Sequence, residues 1–510
     1  MAPTRTPDST PDQVHDDRPT VWVLGDQLNR SSGALRGRGA AECRVLLVES
    51  TSKLGSKPWH VQRLHMIVSA MAHFAEELRS EGFEVDYRIA PTMSAGLRAH
   101  CDEFQVERVL AAEPASWNAH RLLGRLGVEL VTSDHFLCHR DDFAEWVAPR
   151  RSFKLEDFYR WQRERLDVLM EPDGPAGGRW NFDSDNREPP PRDGRAWPEA
   201  TLFELDEIDE EVLARLPPTW GAAPSGVWPV TRDQALVRLD EFITDGLVGF
   251  GPHQDAMLGS EWKLSHSILA ASLNIGLLSP AEVIAEAEAA YRSGAAPLGS
   301  VEGFIRQVIG WREYVWGLYW HWMPEYRDEN QLGATEPVPP AFTGTPTQME
   351  CVSDVVGHVY DHGYAHHIER LMVLGNLALT SGVDPWQMTE WMWAGFVDGA
   401  EWVMLPNVIG MALHADGGRM ATKPYASGGA YLHRMGDACK RCTFNPKHRV
   451  GPTACPFTTL YWDFIARHET TFAGNHRMSR QVAMMRRLSN LDEVRAHAVD
   501  IRSALAEGTL

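Results

Sequence analysis

Between residues 20 and 140, short apolar runs alternate with stretches whose apolar residues recur at helical spacing. The runs "VWVLGD" (21–26), "VLLVES" (45–50), "VDYRIA" (85–90), "VERVLAAEP" (106–114) and "VELVTS" (128–133) read as strands. From Trp59 to Arg79, the positions Leu64, Ile67, Val68, Met71, Phe74 and Leu78 line one side of a helix. This β/α alternation predicts a parallel, doubly wound sheet with helices on both faces. Such sheets take ligands at the carboxyl ends of their strands. "GDQLN" (25–29) and Glu49 stand at two of those ends. A dinucleotide fingerprint is absent, since "GRGAAE" (37–42) is too short and precedes a strand.

The pattern then changes. Residues 141–225 read as irregular, with a long Pro/Gly/Asp-rich loop at 171–195. From Trp228 onward helical spacing dominates, over 233–246, 261–276, 280–292, 301–320, 351–380, 385–397, 401–414 and 457–487. The expected fold class is an α/β N-terminal domain followed by a larger all-α domain. The expected division is a polar, disordered extension over 1–18, an α/β domain over 19–140, a linker and loop over 141–225, and the helical domain over 226–510.

Composition narrows the class. No apolar run in the 510 residues is long enough to span a bilayer. Seven cysteines argue against a secreted disulfide framework and for a reducing cytoplasm. On its own, a net charge of −20 argues against nucleic acid as a partner. The stretch 439–487 reverses that sign, with nine Lys/Arg against two acids. A solvated face is the ordinary reading of such a run, and a phosphate-facing surface is the alternative.

Three cysteines fall within "CKRCTFNPKHRVGPTACP" (439–456), as C-x2-C followed by C-P. Cys439, Cys442 and Cys455 need a fourth ligand, either the remote Cys351 or the nearby His448. Cys43, Cys101 and Cys138 read as ordinary buried thiols. The spacing leaves zinc and a [4Fe–4S] cluster evenly matched, with unliganded thiols as the bland alternative.

In "YAHHIERLMVLGN" (364–376), His366 and His367 occupy adjacent positions of an expected helix, so they cannot face the same way. Arg370 shares the face of His366, and Leu371 that of His367. "FVDGAEWVMLPNVIGM" (396–411) carries Asp398, Glu401 and Asn407 among few other polar groups, and Arg370 with Asp398 is the expected buried pair. The segment 302–326 is rich in Trp and Tyr, in a chain with 19 Trp. It reads either as a bulky helical core or as the surroundings of a planar redox cofactor.

Taken together, these segments resemble a family. "KLSHSILAASLNIGLLSP" (263–280) resembles the FAD-binding segment of the cryptochrome/photolyase superfamily, and "QVIGWREY" (307–314) its next signature. The pieces "CVSDV", "YAHHIERLM", "LPNVIGM", "KPYASGGAYLHRM", "CKRC", "TACPF" and "YWDF" are similar to the iron–sulfur bacterial cryptochromes and photolyases, which include prokaryotic (6-4) photolyases. The resemblance covers the chain after about residue 20.

It implies an FAD held in the helical domain by His266, Ser267, Gln307, Trp311, Arg312, Arg370, Asp398, Glu401 and Asn407. It implies a [4Fe–4S] cluster on Cys351, Cys439, Cys442 and Cys455. His366 and His367 match the catalytic histidines, and Leu371, Met411 and Tyr425 the lesion pocket. A 6,7-dimethyl-8-ribityllumazine antenna would sit near Asp26, Gln27 and Glu49. The loop 177–187 is similar to one lying near DNA. Trp391 fits the electron-transfer chain, whereas Phe342 and Met392 stand where redox-active aromatics are expected, so Trp386 or Trp393 offers another route.

The implied activity is light-driven repair of the (6-4) photoproduct in UV-damaged DNA by a cytoplasmic monomer without membrane contact. The alternative is a blue-light photoreceptor with the same cofactors and no repair. A non-photochemical zinc and flavin nucleic-acid binder is the third reading.

Overall fold

A computed structural model describes residues 16–510. Most of the extension expected over 1–18 therefore lies outside the described residues.

Five parallel strands form the sheet: β1 (Thr20–Val23), β2 (Arg44–Ser50), β3 (Val85–Ala90), β4 (Val109–Ala112) and β5 (Glu129–Val131). Their order is β3-β2-β1-β4-β5. Thr20 pairs with Arg44 on one side and Val109 on the other, so the strand order reverses at β1. That reversal opens a crevice at the carboxyl ends of β1 and β4. β2 is buried along its whole length, as expected for a strand covered on both faces.

The two parts of the chain share a core. Val21, Val45 and Leu47 of the sheet pack in one apolar cluster with Leu273, Ile275, Val301 and Phe304 of the helical part. A second cluster holds the remaining helices, including Tyr314, Tyr319, Phe342, Phe396, Trp402, Phe457 and Phe464.

Several helices differ from the periodicity. The stretch expected to be irregular over 141–225 contains helices Arg140–Val147, Leu155–Leu166 and Glu207–Arg215. Each is short, and its apolar face is set by contacts from distant segments. Only Ala270–Ile275 of the helix expected over 261–276 forms. Ahead of it, Leu264 and Ile268 take positive φ of 47° and 49°. For bulky side chains this is strained backbone, and it brackets His266 and Ser267 in an irregular loop.

The helix expected over 351–380 is two. Glu350–His362 ends at Gly363 in the left-handed region (φ 61°), and the next helix begins at His367. His366 is thus the N-cap and lies in extended backbone, not in the helix. Likewise 457–487 divides into Pro456–Arg467, Glu469–Ala473 and Ser479–Met485. Among the described residues no helix is long and apolar enough to cross a membrane.

Candidate active site and metal centre

Three segments singled out by sequence contain π-helical turns: Arg306–Arg312, Arg370–Gly375 and Pro406–Ala412. A π turn inserts one extra residue and re-aims the side chains after it, and such turns cluster at functional sites. Gln307, Trp311, Arg312, Arg370, Leu371, Asn407 and Met411 all lie on these turns.

Arg370 reaches Asp398 through two parallel hydrogen bonds, Nη1 to Oδ1 at 2.9 Å and Nη2 to Oδ2 at 3.0 Å. Its guanidinium lies 4.0 Å from the centre of the Phe396 ring. Asn274 donates to the Asp398 carbonyl at 2.8 Å, tying in the loop that carries His266. Buried Arg63 stands on the other side and donates to the carbonyls of Phe396 and Val397. Burial pulls its pKa down to about 10 against the opposing pull of Asp398.

Trp311 donates from Nε1 to Asn407 Oδ1 at 3.0 Å. Arg312 faces elsewhere, packed 4.2 Å over the Phe136 ring of the α/β part and paired with Glu313 at 2.9 Å. Its Nε and Nη2 are buried and without partners. Glu401 is engaged by Arg327 and by the Tyr319 hydroxyl at 3.2 Å. Ser267 accepts from the Leu269 amide at 3.4 Å, while His266 turns toward the histidine pair.

His266, His366 and His367 form one group, with donor atoms within 4.8 Å of one another. The His266 and His366 rings stack at 4.5 Å and 11°. His366 is fully buried, and burial together with its histidine neighbours holds its pKa far below the usual value. His367 is half exposed, with Nε2 3.6 Å from Asp255 Oδ1. Behind them, Glu369 accepts from the His366 amide at 3.3 Å and approaches His358 at 3.3 Å. Burial works against charge on His358, but Glu369 overrides it and raises its pKa.

Tyr425 lies at the same mouth as Asp255, Asp183 and Arg187, so the loop 177–187 does reach this region. Leu371 and Met411 are half-buried on facing π turns. Sequence reasoning missed Asp255, His358 and Glu369. Only Glu369 left a signal, as the i+3 carboxylate of a capping box on His366.

Trp391 lies 5.1 Å from Phe342 and 5.9 Å from Phe396, so it leads to the ring on which Arg370 rests. Trp386 sits under Arg327, and Trp393 packs on Trp59 at 6.2 Å.

The four cysteines converge. Cys351 opens its helix beside Cys439, Cys442 and Cys455, and burial plus these neighbours push its thiol far up. Burial and the adjacent thiols raise Cys439 to about 11. Among the described residues no three of these sulfurs lie within 4.8 Å of one another. A side chain on Gly429 would come within 2.8 Å of the Cys455 Sγ. His448 bonds Thr453 at 3.0 Å. Arg441 ties the C-x2-C loop to the Cys351 helix through Asp354 at 2.7 Å and Glu350 at 3.1 Å. The Cys351 helix ends before the histidine pair, so the cysteine site connects to that pair through Gly363–His366 and not by one continuous helix.

The basic stretch is partly self-neutralised. Besides Arg441, Arg467 pairs with Asp463 and Arg486 with Glu469. Lys440, Lys447, Arg477, Arg480 and Arg487 are exposed.

In the crevice, Gln27 bridges the strands by donating to the Ala112 carbonyl at 3.0 Å, and burial raises the Asp26 carboxyl. Glu49 is held by the Tyr87 hydroxyl at 2.8 Å and by Arg215 at 3.1 Å.

Three buried histidines with depressed pKa values are expected to make the fold acid-sensitive. Burial next to His367 holds His266 near 3, and burial holds His362 and His468 near 4. In the unfolded chain each takes up a proton near pH 6.5. These groups therefore stabilise the fold above that pH, and the contribution is lost as pH falls toward the folded values. For His266 the loss is about 1.4 kcal/mol per pH unit. The urea midpoint is expected to fall between pH 7.5 and pH 5.5; a constant or rising midpoint would contradict this.

The comparisons with known proteins agree with this architecture. Residues 21–225 match the family model described as deoxyribodipyrimidine photo-lyase-related protein. A class III photolyase structure from Agrobacterium tumefaciens superposes with a TM-score of 0.56 at 15% identity, covering 98% of this chain and 100% of that one. A cryptochrome from Synechocystis sp. PCC6803 gives a TM-score of 0.51 at 14% identity over 77% of this chain and 82% of its own. The fold is that of photolyases and cryptochromes. In sequence, the chain is 41% identical over 485 residues to the (6-4) photolyase of Agrobacterium fabrum, covering 92% of this chain and 96% of that protein. The chain belongs to the cryptochrome/photolyase superfamily, and within it to the family of that (6-4) photolyase.

Proposed function

We propose that this protein is a light-driven (6-4) photolyase acting on UV-damaged DNA. The observation that carries the reading is the division of labour in the histidine group, together with 41% identity to a (6-4) photolyase along nearly the whole chain. Bound FAD, in its reduced and photoexcited form, would supply the electron that opens the lesion.

The chain's own residues do the rest. His367, half exposed beside Asp255, holds a proton at Nε2 and delivers it to the photoproduct as general acid. His366 stays neutral and stacks on His266, fixing the wall against which His367 stands. Leu371, Met411 and Tyr425 line the space for bases taken out of the stack. Arg370 with Asp398, and Trp311 with Asn407, present a fixed polar frame to the flavin. The unmet donors of buried Arg312, packed over Phe136, suit an anionic group on the side facing the α/β part. Arg187, Lys423 and Arg477 gather near Tyr425 and set positive charge where DNA phosphates would approach.

The cysteine site is read as a [4Fe–4S] centre. One C-x2-C pair with two solitary cysteines, the last followed by Pro456, suits a cluster, in which each thiolate binds its own iron. The lumazine antenna is assigned to the crevice at Asp26 and Gln27, with Glu49 as a rim residue held by Arg215. The protein is read as a cytoplasmic monomer, and the division at about residues 140 and 225 as its domain plan.

The test uses the purified protein, with flavin and iron measured, and oligonucleotides carrying either a (6-4) product or a cyclobutane dimer. Light-dependent repair of the (6-4) product alone is expected. Binding without repair would support a photoreceptor instead, and repair of only the cyclobutane dimer would overturn the substrate.

A further inference from the structure

Far from the histidine group, a second cluster of metal-ligating side chains joins the α/β part to the segment that follows it. His65, Ser69 and His73 lie four residues apart along the helix Val61–Ser80 and so form one stripe. Facing them is the first turn of the helix Glu207–Arg215, with Asp206 as its N-cap and Asp209 three residues on.

The donor atoms of His73, Asp206 and Asp209 all lie within 4.8 Å of one another. His73 Nε2 stands 3.6 Å from Asp206 Oδ1 and 3.6 Å from Asp209 Oδ1. His65 Nε2 comes to 3.3 Å from that same Asp209 oxygen, from the buried side. The side chains of His65 and Asp209 are only 4% and 2% exposed. Despite these approaches, Nε2 of His65, Nε2 of His73, Oδ1 of Asp209 and Oγ of Ser69 are all buried without a hydrogen-bond partner. Against the opposing effect of burial, Ser69 and both histidines hold the Asp209 carboxyl well below the usual carboxylate range, so these groups attract one another, but through long contacts that leave room for something that satisfies them better.

The separations indicate what that is. They exceed a good hydrogen bond, which has its optimum near 2.9 Å. Two ligands of a tetrahedral zinc, each about 2.0–2.1 Å from the ion, stand about 3.4 Å apart. Imidazole and carboxylate are both ordinary zinc donors. The other oxygen of Asp209 is already held, accepting from the Asp206 amide at 3.2 Å, so the carboxylate cannot turn away.

We propose that His73, Asp206 and Asp209 bind one divalent zinc ion, with His65 behind Asp209 orienting its carboxylate. Asp206 is more than half exposed, which leaves the fourth position open to water. The ion would pin the first turn of the helix Glu207–Arg215 to the sheet domain, at the opposite end from the Arg215–Glu49 pair.

The experiment uses full-length protein carrying its flavin and iron, freed of loose metal, and then titrated with Zn²⁺ alone. One tightly bound zinc per chain is expected, with no loss of iron. X-ray absorption at the zinc edge is expected to show only nitrogen and oxygen ligands. Sulfur ligands would mean that zinc had entered the cysteine site and would overturn the assignment, as would absence of stoichiometric binding. His73→Gln should abolish the site, and His65→Gln should weaken it about 10–100-fold, the usual effect of losing a group that orients a ligand. Unchanged zinc affinity in His73→Gln also overturns it. Should either variant misfold, Asp206→Asn, at the more than half-exposed ligand, decides between this site and the His266–His366–His367 group: unchanged zinc affinity in that variant overturns the assignment.

Discussion

In the His367→Ala variant, flavin and iron contents are expected to match the wild type, while light-driven repair of a (6-4)-bearing oligonucleotide falls by about 10²–10⁴-fold, the usual contribution of a positioned general acid. The reasoning rests on exposure. Removing the half-exposed His367 opens no core cavity, so the fold and the Arg370–Asp398 frame should survive. The adjacent His366 cannot take over the proton, because it is fully buried and its histidine neighbours disfavour charge. Repair at the wild-type rate, with full flavin, would remove His367 from the mechanism. A loss of flavin in parallel with activity would make it a structural residue instead.

The second large effect is expected at Cys351. Cys351→Ala should lose iron, and the segment from Cys439 to Cys455 should become readily cleaved in limited proteolysis. A link from residue 351 to 455 closes a long loop, and by loop entropy such a closure stabilises by about 4–5 kcal/mol. Without it, the ion pairs left between the two segments are those of Arg441 with Asp354 and Glu350. Arg441 is nearly half exposed, and pairs of that kind contribute only about 0–1 kcal/mol. Because folding and metal binding are coupled at such sites, the loss should not be confined to the metal. A soluble variant with unchanged protease resistance but altered photoreduction would give the centre an electron-transfer role.

The five strands, the long helix at 61–80 and the helix at 280–292 could be read directly, because a buried parallel strand or an amphipathic helix imposes its own period on the residues that form it. The pairing of Arg370 with Asp398 was also legible, since two opposite charges in apolar stretches have few other ways to be buried. Less of the candidate site could be read. Gly363 breaks a pattern that continues in apolar spacing on both sides, so periodicity ran two helices into one. The loop before Ala270 is held in strained backbone by contacts that no local propensity reveals.

The sequence by itself determined the α/β-then-helical order and the candidate chemistry: four cysteines at distinctive spacing, a histidine pair and a basic stretch in an acidic chain. Those features are written in residue type and interval, which survive without a fold. Only the tertiary structure decided which histidine is sealed from water and which reaches the rim, which arginines remain free of acids, and which donors meet across distant helices. A proton's cost depends on the water and charges around it, and these come from segments far apart in the chain. The same His residue type is therefore a buried wall at 366, a proposed acid at the rim at 367 and, at 73, a proposed ligand facing Asp206 and Asp209.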